Sequence, residues 1–317
     1  MVDNNFQPMD FGEVFANTFT VIRRTFSAGI IVLLLLVAAV MIYSWGYTNF
    51  LGEMSTVFLK FGNINIEKDQ KAAQELGQQM SAVVWPYLGS LLAAFVLFLF
   101  GQTIATVASW EGVNGHPIDL GGLLKRSFGK LLLFNLIQWL ALAVVMVMVA
   151  LLMYILTFAL VGKAAGSIIA LMISSLVVFL PTMFRVQEMD VDERGPFRGL
   201  TSAVSLLWTS AWRAVGPVLV LIIADVAILT LVSVLLTGTP PAVGMGGGSG
   251  TDPQAAAAAL ARVRAMMTPG VFAATVAIHS LVLLFLFNLI TVVYTDLRIR
   301  RGDYVRSEEL EAWEQNI

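Results

Sequence analysis

Two residues of this sequence place ionisable chemistry where water is scarce. Asp225 sits in Leu221-Ile222-Ile223-Ala224-Asp225-Val226-Ala227, and His279 sits within the apolar run from Val271 to Tyr294. A carboxylate at the centre of a membrane helix costs roughly 2.5 to 3.5 kcal/mol on insertion scales, so it must be protonated, paired or turned inward. Counted from the loop that joins their segments, Asp225 lies about 12 residues deep and His279 about 9. At a rise of about 1.5 Å per residue they fall within about 5 Å of each other in depth. The two segments are sequence neighbours and antiparallel, so the spacing predicts a hydrogen bond between these side chains. Such a pair serves either as a structural tie or as a proton-linked or gating element.

A second group, Gln102, Asn135, Gln138 and Asn288, falls toward one end of otherwise apolar segments. Lipid offers an amide no partner, so these side chains line an inward-facing cavity or make hydrogen bonds between helices, and the latter is the simpler expectation. Arg23, Arg24, Lys125, Arg126 and Lys130 lie beside apolar stretches, where each charge near an anionic membrane surface contributes about 1 kcal/mol to headgroup binding. Ordinary positive-inside bias explains the same residues without a specific lipid.

Other chemistry is poorly supported. The acids Glu188, Asp190, Asp192 and Glu193 are oxygen-rich but lack the glycine and distant glutamate of a calcium loop, so they read as a solvated charge run. Gly246-Gly247-Gly248 has no following lysine and no strand before it, unlike a phosphate-cradling loop. The chain contains no cysteine and only two histidines, His116 and His279. Thiolate metal sites, cysteine nucleophiles and disulfides are thereby removed, and Asp225 or His279 lacks the second acid or serine that an intramembrane enzyme would need. No enzyme activity and no cofactor is expected.

What must position these residues is set by composition. Of 317 residues, 58% are hydrophobic and 13% charged, against roughly 45 to 50% and about 25% in soluble domains. That surplus of apolar surface must face lipid. Apolar segments run at about Ser27 to Tyr47, Ala82 to Ala108, Leu131 to Val161, Gly166 to Val186, Val215 to Leu236 and Val271 to Tyr294. Each approaches or exceeds the roughly 18 residues expected of a transmembrane helix. Arg23 and Arg24 precede the first run, but the run is too long for a signal peptide and lacks a small-residue cleavage pattern, so an uncleaved first span is expected. Six spans put both ends on one side. Lysine and arginine gather there, at Arg23, Arg24, Lys125, Arg126, Lys130, Arg185, Arg194, Arg198, Arg213, Arg298, Arg300, Arg301 and Arg306, which marks that side as cytoplasmic. Tyr43, Trp45, Tyr47, Trp85 and Tyr87 form the opposite aromatic belt, and Trp110, Trp208, Trp212 and Tyr294 the cytoplasmic one. Reporter domains inserted at Gly115 or fused after Ile317 are therefore expected to read cytoplasmic and one at Gly248 external; an external carboxyl terminus would refute the topology. The net charge of -2 gives no reason to expect nucleic acid.

Before each odd-numbered span lies a shorter amphipathic stretch suited to the membrane surface. The first begins at Asp10 with Glu13 three residues on, a capping-box pattern, and Met9 and Val14 can close a hydrophobic staple. The second runs from Asp119 through Leu123, Leu124 and Phe128. The third starts at Pro196, a favoured first helical residue, with Phe197, Leu200, Val204, Leu207, Trp208 and Ala211 on one face. Interfacial helix, span, outer connection and span recur three times, predicting three related hairpins. The expected organisation is a single six-helix membrane domain over 1–317, with an amphipathic N-terminal helix at 1–26, external loops at 48–81 and 238–270 and a cytoplasmic tail at 298–317. Gly246 to Gly250 reads as a mobile loop.

The end of the last span, Tyr294-Thr295-Asp296-Leu297-Arg298-Ile299-Arg300-Arg301-Gly302, resembles the tyrosine, aspartate, leucine, arginine signature of the membrane domain of bacterial glycerophosphoryl diester phosphodiesterases. Gly12 to Phe26 and Glu188 to Gly216 carry weaker likenesses, and the third interfacial helix departs from the family in having Thr201, Ser202 and Ser205 where basic residues are usual. The resemblance implies a freestanding membrane module in the bacterial inner membrane. Residues corresponding to the hydrolase barrel, with its histidine and arginine motif and acidic metal ligands, do not occur. The resulting expectation is a non-enzymatic module that organises membrane lipids or accompanies a partner membrane protein or further copies of itself. A small-molecule or lipid transporter is the alternative.

Overall fold

A computed structural model describes residues 8–61, 70–161, 183–191, 195–209, 211–237 and 268–301. Every element in them is helical: α1 (Phe11–Arg24), α2 (Phe26–Phe61), α3 (Gln70–Asn114), α4 (Leu120–Arg126), a short π-helical turn (Ser127–Leu131), α5 (Leu132–Val161), α6 (Arg185–Val191), α7 (Pro196–Thr209), α8 (Ala211–Thr237) and α9 (Pro269–Arg301). Five stretches are long and apolar enough to cross a membrane, over Phe26–Val57, Gln74–Asn114, Leu120–Val149, Ala211–Leu236 and Pro269–Arg301. Among the described residues the protein is all-α, with five helices able by length and composition to cross a membrane. Of the six spans expected, Gly166 to Val186 lies almost wholly outside the described residues, as do the Gly246 to Gly250 loop and the tail beyond Arg301.

The long helices outrun their apolar cores. α2 has 36 residues and α3 has 45, hence about 54 and 68 Å at a rise of about 1.5 Å, against a hydrocarbon layer of about 30 Å. The stretch expected as an external loop at 48–81 is thus helical up to Phe61 and again from Gln70. Met54, Val57, Leu76 and Val83 bury one another there with Phe50 against them, and Lys60 donates to Gln79 at 3.0 Å. A polar sequence stays helical because this narrow apolar seam gives it something to pack on.

The chain divides into two compact units. One comprises Met1–Val32, Gln102–Leu221 and Leu284–Ile317; the other comprises Leu33–Gly101 and Ile222–Leu283. The first unit has a core of Val14, Val21, Phe184, Ala203, Leu206, Ala214, Val218, Leu289, Val293, Tyr294 and Leu297. α1 enters this core through a complete capping box, Asp10 accepting from the Glu13 N–H and Glu13 accepting from the Asp10 N–H, and both staple residues, Met9 and Val14, pack into the cluster. α4 starts on Asp119, which accepts from the Gly121 and Gly122 N–H groups. It then kinks at Gly129, whose φ and ψ of -85° and -133° are not helical. α7 begins at Pro196 as expected, but its buried face is Gly199, Ala203, Leu206 and Leu207. Phe197, Val204 and Trp208 are exposed, leaving the apolar stripe read from the sequence mostly on the outside of the helix.

Candidate functional site

In the second unit α8 and α9 bring Asp225 and His279 together, with His279 Nε2 3.7 Å from Asp225 Oδ2. That separation suits an ion pair and is slightly long for a hydrogen bond. The other imidazole nitrogen, Nδ1, lies 3.1 Å from the carbonyl oxygen of Thr275 one turn back. A carbonyl only accepts, so Nδ1 carries a hydrogen. Asp225 Oδ1 is buried without a hydrogen-bond partner among the described residues. His279 also lines a cavity of about 510 Å³ whose walls are Ala39, Val40, Tyr43, Ser44 and Tyr47 of α2, Leu91, Ala94, Phe95 and Phe98 of α3, and Thr275 and Leu283 of α9. Tyr43 and Tyr47 stack with ring centres 6.0 Å apart. All of these wall residues belong to candidate membrane spans.

The amide cluster belongs to the first unit and separates into distinct contacts. Asn135 Nδ2 donates to Gln102 Oε1 at 3.2 Å and to Thr103 Oγ1 at 3.3 Å, and Trp139 Nε1 donates to the same Gln102 oxygen at 3.3 Å. Gln138 Nε2 donates to the Pro196 carbonyl at 2.6 Å, and Asn288 Oδ1 accepts from Ser109 at 2.8 Å. All four amides are buried. They tie α3 to α5, α5 to the start of α7, and α3 to α9, the interhelical role that amides take where lipid offers no alternative.

Around them lies a set of buried charges that composition alone did not reveal. Arg185 is fully buried with its guanidinium 4.4 Å from the centre of the Trp139 ring, a cation–π geometry. Glu188 and Asp190 on the same turn are also buried. Reading them as part of a solvated charge run is therefore incorrect; Asp192 and Glu193 fall outside the described residues. The burial follows from the short α6 packing against α7 and the π-helical turn, while Arg126 supplies a countercharge, its Nε 2.8 Å from Asp190 Oδ1 and its Nη1 2.8 Å from Glu111. His116 pairs with Glu111 at 2.7 Å. Of the other basic residues, Arg24 donates to the Gly112 carbonyl at 3.1 Å, and Arg23, Lys125 and Lys130 are exposed.

Asp190, outside the candidate spans, has Oδ2 buried with no hydrogen-bond partner among the described residues. Burial pushes its carboxyl up to about 6, although Arg126 pulls the other way. Desolvation prevails because only one carboxylate oxygen faces the guanidinium, and Arg126 is itself 41% exposed. A carboxyl raised in the folded state contributes stability that is complete below its ordinary value of 3.8 and is lost as pH rises through about 6. Unfolding in detergent is expected to show stability falling across that window by on the order of 3 kcal/mol, and Asp190→Asn is expected to flatten the profile. An unchanged slope in that variant would refute the assignment.

Residues at the end of α9 form a docking point for the N-terminal segment. Asp296 Oδ1 accepts from the Met9 N–H at 2.7 Å and Oδ2 from Arg300 Nε at 2.8 Å. Arg300 Nη2 and Arg213 Nη1 both donate to the Met9 carbonyl, at 2.6 and 3.2 Å. Tyr294 is fully buried, edge-on to Trp110 and tilted against Phe184, and its hydroxyl accepts from Arg298 at 3.0 Å. Leu297 completes the core cluster beneath α1.

No family model, curated protein or solved structure matches this chain.

Proposed function

We propose that this chain is a non-enzymatic membrane module that holds the acyl chain of a lipid, acting as a lipid-organising subunit or accessory in a bacterial cytoplasmic membrane with both ends in the cytoplasm. The observation that carries the reading is the cavity of about 510 Å³ between α2, α3 and α9. Its size falls within the roughly 300 to 1,000 Å³ typical of ligand sites, and its mostly apolar wall with a few hydroxyls at Tyr43, Ser44 and Tyr47 matches their usual chemistry. Because the walls belong to candidate spans, the molecules at hand are lipids. The likeness of Tyr294 to Arg301 to a phosphodiesterase membrane domain accords with a module of this kind.

The test is to fill the cavity. Ala94 is buried in its wall, and Ala94→Phe is expected to remove the lipid that remains bound to the wild-type protein after detergent purification, as read by native mass spectrometry. Thermal unfolding of the same sample checks that the fold survives, since overpacking costs about 1 to 3 kcal/mol. Equal lipid retention by wild type and variant would refute the reading. A transporter is the second reading, favoured by the Asp225 and His279 pair within the spans, because ionisable groups there commonly mark proton relays or ion pathways. Uptake of a labelled solute into vesicles, dependent on an imposed proton gradient, would support it.

A further inference from the structure

We infer that Asp225 and His279 make occupancy of the α2–α3–α9 cavity proton-dependent, the acyl chain being held while the pair shares a proton and released when that proton leaves. This rests on the lipid reading above and adds its regulation. With Nδ1 donating to the Thr275 carbonyl, the nitrogen that faces Asp225 Oδ2 at 3.7 Å is Nε2. A hydrogen bond across that gap needs one proton between them, carried either by the carboxyl or by the imidazole. With the proton present, a small rotation closes the gap and His279 is held at the edge of the cavity.

When the proton leaves, a lone pair on Nε2 confronts a carboxylate oxygen in a setting of low dielectric, where such repulsion is strong. Asp225 Oδ1 has no partner among the described residues to compensate. The imidazole can recover a donor toward the carboxylate only by moving its hydrogen to Nε2, which sacrifices the bond to Thr275, or it can swing away. His279 is 39% exposed and lines the cavity, so swinging away brings a polar ring onto the path of the chain. Among the described residues, the other ionisable groups on the wall are the phenols of Tyr43 and Tyr47, and α3 contributes Leu91, Ala94, Phe95 and Phe98.

The experiment uses the full chain in vesicles of phosphatidylcholine and phosphatidylglycerol with two probes, a diazirine-bearing phospholipid acyl chain and a diazirine-bearing free fatty acid. Labelling of α2, α3 and α9 peptides is read from pH 4.5 to 9. We expect cavity labelling to fall as pH rises, by up to about tenfold per pH unit at its steepest, the limit for one linked proton. Labelling by the phospholipid probe alone identifies a membrane lipid as the occupant, and labelling by the fatty acid alone a free acid; either supports the coupling if it falls with pH. In Asp225→Asn the amide can donate permanently to Nε2, so labelling should stay at its low-pH level throughout. ¹⁵N shifts of His279 supply a readout free of lipid, with one protonation step expected in wild type and a displaced one in Asp225→Asn. Absence of cavity labelling at every pH would overturn the lipid reading and this inference with it. Labelling that is present but indifferent to pH, or a wild-type pH response retained in Asp225→Asn, would overturn the inference alone.

Discussion

Asp296→Ala is expected to lower the stability of the protein by about 3 kcal/mol and to free the segment around Met9. The figure is the lower end of the cost of removing one partner from a buried ion pair; the lower end applies because Arg300 is 24% exposed while Asp296 is only 4% exposed. Asp296 joins three things: the Met9 N–H, the Arg300 guanidinium and, through Arg300, the Met9 carbonyl. Without it Arg300 loses its orienting carboxylate and Met9 loses the acceptor for its N–H. α1 would keep its own capping box, so the helix should persist while its docking weakens. Thermal unfolding in detergent and proteolysis near Met9 measure the two consequences separately. Asp296→Asn, which retains an acceptor but no charge, is expected to fall between wild type and alanine. A variant as stable and as protease-resistant as wild type would show that the docking point is ornamental.

The second large effect is expected at Gly46. A Cβ added there would overlap Ser90 Oγ and lie 2.7 Å from Ser90 Cβ. Rotating the hydroxyl relieves the first overlap but not the second, so α2 and α3 would have to separate. Small residues permit such close approach in membrane helices, and overpacking costs about 1 to 3 kcal/mol or more. Gly46→Ala should therefore reduce folded yield and unfolding temperature. Adding Ser90→Gly, which removes the opposing Cβ, should restore both, whereas adding Ser90→Ala should not. Rescue by both second-site changes, or by neither, would contradict the geometry.

How far the site could be read in advance differs from residue to residue. Asp225 and His279 were visible because each is the odd ionisable group in an apolar run, and two neighbouring antiparallel helices leave depth as the main variable. The cavity beside them was not visible, since Ala39, Val40, Leu91, Ala94 and Leu283 are indistinguishable in type from residues that face lipid. Gln102, Asn135, Gln138 and Asn288 were legible as amides needing partners on other helices, but not that Asn135 would bond Gln102, Asn288 Ser109 and Gln138 the Pro196 carbonyl, because rotation about each helix axis decides which group meets which. Glu188 and Asp190 misled because charged residues between helices are usually solvated; here Arg126, distant in sequence, lets Asp190 be buried.

By itself the sequence determined that the chain is built of helices long and apolar enough to cross a membrane, where α1, α4 and α7 begin, and that Asp225 needs a partner or a proton. Those properties depend on local chemistry and on the expense of exposing polar groups to lipid, which act through composition and short spacing. Only the tertiary structure decided that α2 and α3 remain helical beyond their apolar cores, that Arg185 lies inside against Trp139, that Asp296 clasps Met9, and that His279 borders a cavity. Each of these depends on which faces of distant segments meet, a rotational and translational register set by packing whole helices together, and short-range spacing carries no record of it.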